Sequence, residues 1–411
     1  MNRKEEVFCM KVFVRGVYYD PVVKERQGET YKEVLFRVFK RVLEDAEVSP
    51  DDVDGVIFTP PVLGGIRQHF MHAHHMGHYL GKKFKVEVMV ENGGSTAALA
   101  LRYGMLEILS GRCDAVFVIG MDDRGDRIPE GMEFPHFVYD ITLTQINLYG
   151  PFDSMYGIGA PIPYYAMAGQ RYMIEKSVSR DDLNWVAVRL REHAEKNEKA
   201  LLRQRINPED VIASKDICPP LYLYDCSIFA SGAAGVLLTS ENFEKANPSN
   251  KKRKVQVRGY GEFHTPTSFL PNQFEYIPYY SEALRKATDE AFSQAKITQK
   301  DVDVVEIYGV FTTTELTILE DMGFFDEGKA VYAFKEGKVG PDARLYVDPS
   351  GGRVACGHPA GATPLIEVCE VVHQLRGEAG ARQKKGKCDI GVAQAEHGML
   401  NGSVVFVFEG L

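Results

Sequence analysis

The sequence predicts a layered α/β fold built from two similar halves, with a cap inserted between parts of the first. Three observations carry this. Short β-branched apolar runs alternate with amphipathic helical stretches through most of the 411 residues, the pattern of sheets covered by helices. Residues 46–58, AEVSPDDVDGVIF, are echoed at 295–307, AKITQKDVDVVEI, and the order of elements around the two copies repeats, as an internal duplication would produce. Between the copies lies a turn-rich, aromatic stretch, about 125–215, that differs from both. The chain is too long for one small domain. The expected units are a first half of residues 1–124 plus 216–250, a cap of 125–215, and a second half of 251–411.

Taken in order, strands are expected at Val12–Tyr19, Gly55–Thr59, Lys85–Val90 and Ala115–Gly120, forming a mostly parallel sheet. A helix over Tyr31–Leu43 is expected from the spacing of Val34, Leu35, Val38 and Val42. Ser49 and Thr298 are placed to cap a short helical turn, each followed by an Asp-Val-Asp that opens a strand. The first copy continues into a strand, the turn Asn92-Gly93-Gly94-Ser95-Thr96 and a small-residue helix to Leu109. The second continues into Leu345–Val347, the Gly351-Gly352 turn and a helix from Ala362.

Within the insertion, helices are expected at Tyr164–Glu175 and Asp181–Leu202, beyond the aromatic segment from Tyr149 to Pro161. Lys196, Lys199, Arg203 and Arg205 form a basic cluster, read as a solvated helix end, or as an attraction for a phosphate. The first half resumes near Tyr224 with a strand lined by small residues, and Lys245–Lys254 reads as the linker.

Composition narrows the function. A net charge of −9 argues against a nucleic-acid surface, and no run of 18 apolar residues is present to span a membrane. The start, MNRKEEVFCMKVFVRG, lacks an apolar signal core. Seven cysteines, odd in number and without C-x-x-C spacing, fit a reduced, cytoplasmic protein without a structural zinc. The histidines at 69, 72, 74, 75 and 78 lack accompanying carboxylates or thiols at ligand spacing, so no metal site is assigned.

The stretch that promises chemistry is 348–365, DPSGGRVACGHPAGATPL. Its glycines permit positive φ and close approach, and the following helix start offers N–H groups and a positive dipole end to an oxyanion. Gly351-Gly352-x4-Gly357-His358-Pro-x-Gly-Ala-Thr363 resembles the histidine loop of the thiolase superfamily. Asp225-Cys-Ser and Ser231-Gly-Ala-Ala resemble a characteristic strand of sterol-carrier-type thiolases. Val305-Glu-Ile-Tyr-Gly-Val-Phe-Thr-Thr-Thr-Glu-Leu, with Glu320-Asp-Met-Gly-Phe, resembles their next signature.

That resemblance implies a thiolase fold, with stacked βαβαβ-type halves in an α/β/α/β/α arrangement, and a coenzyme A thioester as substrate. It also exposes departures. The position of the family's nucleophilic Cys falls on Gly94, flanked by Gly93, Ser95 and Thr96. The family's second Cys falls on Glu396 or His397, ahead of Gly398. The Asn or His of the Phe-Thr/Ser signature is Tyr308, and only His358 is retained. Ser95 is read as a helix cap, and a nucleophile only with a base beside it; Cys356 is read as a packed thiol.

Acid–base and oxyanion groups without a covalent nucleophile resemble the lipid-transfer-protein-like aldolases of this superfamily, where a Tyr stands at the position of Tyr308. Their second Tyr, near the position of His358, is the point of departure. The implied reaction is aldol cleavage of a bulky β-hydroxyacyl-CoA, using Tyr308, His358 and Glu396 or His397. The Gly93–Ser95, Gly351–Gly352 and Gly398 turns would shape the substrate loop. The alternatives are a non-catalytic acyl-CoA-binding subunit, or an acyltransferase using Cys356 or Ser95. Family members imply a homodimer and, for the aldolases, a small partner with a zinc ribbon and an oligonucleotide-fold domain.

Overall fold

The structure, a computed structural model, describes residues 11–26, 28–60, 75–123, 133, 161–248, 252–266, 278–398 and 400–411. The first half holds β1 (Val12–Tyr19), α1 (Tyr31–Ala46), β2 (Gly55–Thr59), α2 (Met76–Leu80), β3 (Val86–Met89), α3 (Thr96–Leu109) and β4 (Ala115–Asp122). Residues 161–215 supply α4 (Ile162–Glu175), α5 (Arg180–Glu195) and α6 (Pro208–Ala213), followed by a small ribbon of β5 (Asp216–Cys218) and β6 (Leu221–Tyr222). Next come β7 (Gly232–Ser240) and α7 (Glu241–Ala246). The second half holds β8 (Val255–His264), α8 (Glu282–Ala295), β9 (Val304–Glu306), α9 (Thr312–Asp321), α10 (Ala330–Lys335), β10 (Tyr346–Val347), α11 (Thr363–Arg376), β11 (Ile390–His397) and β12 (Gly402–Gly410).

The duplication is written in the strand order. One half runs β3-β2-β4-β7-β1 and the other β10-β9-β11-β12-β8. In each, three neighbouring strands are parallel and the next two pairings are antiparallel. Four strands of each half therefore share a direction, and only β7 or β12 is reversed. The halves join where β1 meets β8 through Phe13–Gln256 and Val14–Val255, making one ten-stranded mixed sheet.

The echoed segments do the same work twice. α1 and α8 both end on a left-handed residue, Glu47 and Lys296. Ser49 and Thr298 then open a one-turn helix in a capping box, as expected. The second Asp of each Asp-Val-Asp ties two strands together. Asp54 Oδ2 accepts from the N–H groups of Asp114 and Ala115 at 2.7 and 3.3 Å. Asp303 Oδ2 accepts from Asp389 and Ile390 at 2.7 and 3.0 Å.

Helix α11 lies between the halves. It touches β9, β11 and β12 on one side and β1, β4 and β7 on the other, with α3 beside it. Twelve of its 14 residues are buried, the all-round burial of a core helix. Small residues on α3 allow close packing; a Cβ on Gly104 would meet Val118, Val116 and Leu238 within 3.4 Å.

Some boundaries differ from expectation. The helix expected over Asp181–Leu202 ends at Glu195, because Asn197 turns inward and donates to the Ser350 carbonyl. The strand expected from Tyr224 starts at Gly232, since Leu223–Asp225 forms a tight turn held by Asp225. The basic cluster is partly committed: Lys199 Nζ donates to the Tyr19 carbonyl and Arg205 pairs with Glu195, both at 2.7 Å. The aromatic segment 149–160 and His69, His72 and His74 lie outside the described residues. His75 and His78 both pack near the Tyr79 ring. Among the described residues no helix is long and apolar enough to cross a membrane.

The duplicated strand tie has a measurable consequence. Asp54→Ala and Asp303→Ala should each lower the unfolding free energy by about 1–3 kcal/mol, by orphaning two backbone donors. Urea unfolding checks this, and a midpoint unchanged in both variants would refute the role.

Candidate active site

The loop joining Asp348 to α11 is held from both halves. Asp348 Oδ1 accepts from Ile307 N–H at 2.9 Å. Gly361 N–H donates to Asp122 Oδ2 at 3.1 Å, and Thr59 Oγ1 donates to the Gly361 carbonyl at 2.9 Å. His358 lies beside Phe229 like an added strand, with His358 N–H to the Ile228 carbonyl at 2.9 Å and Ala230 N–H to the His358 carbonyl at 3.2 Å. The Asp225 signature meets the following one here: Thr312 Oγ1 donates to Asp225 Oδ1 at 2.7 Å, and Ser227 N–H to the Val310 carbonyl at 2.9 Å.

Gly351 and Gly352 have φ of 101° and 59°. A Cβ on Gly351 would stand 2.6 Å from Ala194 Cβ, and one on Gly352 3.0 Å from Asp348 Oδ2. These glycines let the loop pass closely beneath α5 and beside Asp348.

Tyr308 and His358 meet. The phenolic oxygen is 3.2 Å from His358 Nε2, and the rings pack edge to face at 5.0 Å. On its other side His358 Nδ1 is 3.1 Å from Thr363 Oγ1, which donates its own proton to the Pro359 carbonyl. Thr363 must therefore accept from Nδ1–H, leaving Nε2 to accept from the Tyr308 hydroxyl. Both residues are buried. Burial, then Arg353, drives the imidazole down to about 3. Burial, then the charges of Glu367 and Glu396, holds the Tyr308 phenol well above its ordinary value. The pair is thus neutral, with a protonated phenol.

Gly94 has no room for a side chain. A Cβ there would stand 2.8 Å from the Tyr308 hydroxyl and 2.5 Å from the Glu396 carbonyl. The phenol and the strand fill the space a side chain would need. Neither substitute thiol nor hydroxyl is placed to attack. Ser95 is fully buried and its Oγ donates back to the Asn92 carbonyl at 3.2 Å. It also makes no side-chain cap to α3, contrary to the cap reading; the Thr96 hydroxyl instead accepts from Asn92 N–H at 2.7 Å. Cys356 is fully buried, near Asn197 Nδ2, and burial pushes its thiol up to about 11, away from thiolate chemistry.

Glu396 and His397 are separated by strand alternation. Glu396 shares its face with Gln394, whose Oε1 accepts from Tyr308 N–H at 3.0 Å. The Glu396 carboxylate accepts from the Tyr165 hydroxyl of α4 at 2.8 Å. It is buried, and burial raises it to about 7, suited to proton transfer near neutral pH. His397 points the other way, its Cβ 3.7 Å from where a Gly93 Cβ would be. Burial lowers His397 to about 4. Gly398 turns the chain at φ 62°. The Gly93–Gly94 turn is thus bracketed by Tyr308 on one side and His397 on the other, with α3 beginning just beyond it.

Thr363 and Tyr165 escaped the sequence reading as partners. Thr363 stood in the quoted motif; nothing marked Tyr165, which arrives from the insertion.

Beneath the site lies a buried ionic cluster. Arg353 is fully buried, 3.5 Å from Glu306 and 3.6 Å from Glu367. Glu306 accepts from both N–H and hydroxyl of Ser350 at 2.7 Å. Burial, then Asp348, holds the Glu315 carboxyl far up, so Glu315 keeps its proton. Four carboxyls, Glu306, Glu315, Asp348 and Glu367, surround one guanidinium and all are shifted upward, first by burial. Such a cluster must store protons. Among the described residues no group of three or more His, Cys, Asp or Glu is arranged to hold a metal ion.

A duplicated sheet with a central helix, its histidine loop facing a glycine turn at a second helix start, defines a thiolase fold. The thiolase C-terminal domain-like family model matches residues 274–410. An acetyl-CoA acetyltransferase of Methanothermobacter thermautotrophicus is 30% identical over 388 residues, covering 92% of this chain and 94% of that protein. Sterol carrier protein 2 of Homo sapiens is 26% identical over 396 residues, covering 93% of this chain and 69% of that protein. The solved structure of the Ltp2-ChsH2(DUF35) aldolase has a TM-score of 0.80 at 20% identity, covering 97% of this chain and 98% of that one. The chain belongs to the thiolase superfamily.

The Gly94 contact and the acid cluster can each be tested. Gly94→Ala should lower the unfolding free energy by about 1–3 kcal/mol, and should cost less in a Tyr308→Ser background than in the wild type. An equal cost in both backgrounds would show that the phenol is not the obstacle. Because Glu315 stays protonated above its ordinary value of 4.5, its contribution is complete below that pH and is lost as pH rises. Glu315→Gln should therefore flatten the fall of Tm between pH 5 and pH 8 by calorimetry; an unchanged slope would contradict the stored proton.

Proposed function

We propose that this chain is a carbon–carbon lyase that cleaves a bulky β-hydroxyacyl-CoA by a retro-aldol step, or runs the reverse addition. One observation carries the reading: the Tyr308 hydroxyl, bonded to His358, occupies the space a nucleophile on Gly94 would need. What remains is proton transfer and oxyanion stabilisation, which suffice for an aldol cleavage and not for covalent acyl transfer.

In this reading Glu396, poised near neutrality, takes the proton of the β-hydroxyl. The Cα–Cβ bond breaks, the β-carbon leaves as a ketone or aldehyde, and the electron pair passes to the thioester as an enolate. The single O–H of Tyr308, which donates to His358 Nε2 in the free protein, turns to donate to the enolate oxygen beside the positive end of α3. Returning the proton to Cα releases the shortened acyl-CoA. A small second chain is proposed to complete the site; the Ltp2-ChsH2(DUF35) aldolase, similar in fold, supports this. The missing nucleophile also favours a second reading, a subunit that binds acyl-CoA without turning it over.

Mass-spectrometric product analysis on β-hydroxyacyl- and β-ketoacyl-CoAs tests both readings, with and without a co-purified partner. Release of a carbonyl compound plus a shorter acyl-CoA, without free CoA, is the expected result. CoA-dependent cleavage of the keto substrates would restore an acyltransferase, and binding without cleavage would favour the carrier. Tyr308→Phe and His358→Ala should each reduce cleavage by about 10²-fold or more while circular dichroism stays native. Wild-type rates in both would overturn the assignment.

A further inference from the structure

The end of the sheet beside the glycine turn carries a second, ordered set of titratable groups. β12 lies between β11 and β8, and at its first residue Gly402 is in register with His397 on one side and His264 on the other. Residues in register across neighbouring strands project to the same face. A glycine between two such histidines leaves the space over the middle strand open. The His397 ring lies there: a Cβ on Gly402 would fall 1.9 Å from His397 Nε2. Across that gap His397 Nε2 is 2.8 Å from His264 Nδ1.

The chain continues along β8, where every second residue shares the face. His264 Nε2 is 2.8 Å from Glu262 Oε1. Glu262 in turn is held by Tyr260 and by Arg102 of α3, the latter at 3.1 Å. Arg102 also lies over the Tyr260 ring, 5.7 Å from its centre. Among the described residues, the charged and titratable groups around the pair include Tyr260 and Glu262 from β8, Arg102 from α3 and Glu290 from α8, which accepts from the Glu262 N–H.

The bonds have a fixed sense. Glu262, an ionised carboxylate against Arg102, can only accept, so His264 must carry its proton on Nε2. His264 Nδ1 is then an acceptor, and His397 must donate from Nε2. That leaves the Nδ1 lone pair of His397 unprotonated. We infer that Glu262 and His264 are positioning residues that set the tautomer of His397, leaving Nδ1 as the proton-accepting nitrogen of the residue whose Cβ flanks the Gly93–Gly94 turn. The inference rests on the proposed reading of this turn as the reaction site. A proton taken by Nδ1 lets the Nε2 proton move to His264 Nδ1, and the His264 Nε2 proton to Glu262, so charge never accumulates on His397 alone.

Long-range proton–nitrogen NMR of the full chain with 15N-labelled histidine reads the tautomers directly, whatever the protein turns over. The expected spectrum shows His397 and His264 protonated on Nε2, and a changed His397 tautomer in Glu262→Gln. His397 protonated on Nδ1 in the wild type, or a tautomer unmoved by Glu262→Gln, would overturn the inference. Gly402→Ala provides a second break, because its Cβ must push the ring aside; retention of the His397–His264 bond in that variant would also overturn it. If the hydroxyacyl-CoA panel is cleaved, Glu262→Gln should lower kcat by about 10-fold or more with KM little changed, and Glu262→Asp should recover part of it. Absence of cleavage by the wild type would count against the proposed reaction and leave the NMR result to decide the tautomer.

Discussion

The hydrogen bond between Tyr308 and His358 is the contact on which the rest of the site depends. It ties the segment after β9 to the loop before α11, and both groups are buried, so water cannot replace either partner cheaply. With the phenol held there, residue 94 has no room for a side chain. The phenol, together with the nearer Glu396 carbonyl, links two departures from the family pattern, the glycine and the tyrosine, which otherwise look unrelated. Thr363 completes the arrangement from the far side of the imidazole and selects the tautomer that accepts from the phenol.

The surroundings serve that pair electrically. Helix α11 starts a few residues after His358 and carries Glu367 into the core, where Arg353 meets it from the wide turn beneath α5. One buried guanidinium cannot neutralise four carboxyls, so the interior keeps protons that an unfolded chain would release. The arrangement is costly for stability at neutral pH. Burial first, then the charges of Glu367 and Glu396, keeps the Tyr308 phenol protonated, so its O–H can turn from His358 to a developing oxyanion. On the opposite side of the glycine turn, the ordered His397–His264–Glu262 chain reaches toward the exposed end of β8.

Much of the architecture was legible in advance because it is local and repeated. The Asp-Val-Asp echoes marked the start of equivalent strands. The β-branched runs at Val12–Tyr19 and Gly55–Thr59 coincide with β1 and β2, since burial on both faces leaves a near-continuous apolar run. Helical spacing persists beyond Glu195, and only the inward turn of Asn197 ends the helix there. Ser95 has the composition of a cap, yet its hydroxyl turns back to Asn92 and Thr96 does the bonding.

The family, the two-fold repeat and the glycine at position 94 are legible in the chain alone, because each is a statement about residue type at a spacing. Tertiary structure alone decided how those residues act. Glu396 and His397 are adjacent in the chain, but the pleat sends one toward Tyr165 and the other over Gly402. Gly94 and Tyr308 are far apart in sequence, and their mutual exclusion exists only where the Gly93–Ser95 turn packs against β11 and meets the Tyr308 hydroxyl. Proton affinities follow the same division: a carboxyl near pKa 7 and an imidazole near 3 are consequences of burial and neighbours, which no stretch of sequence contains until the chain is folded.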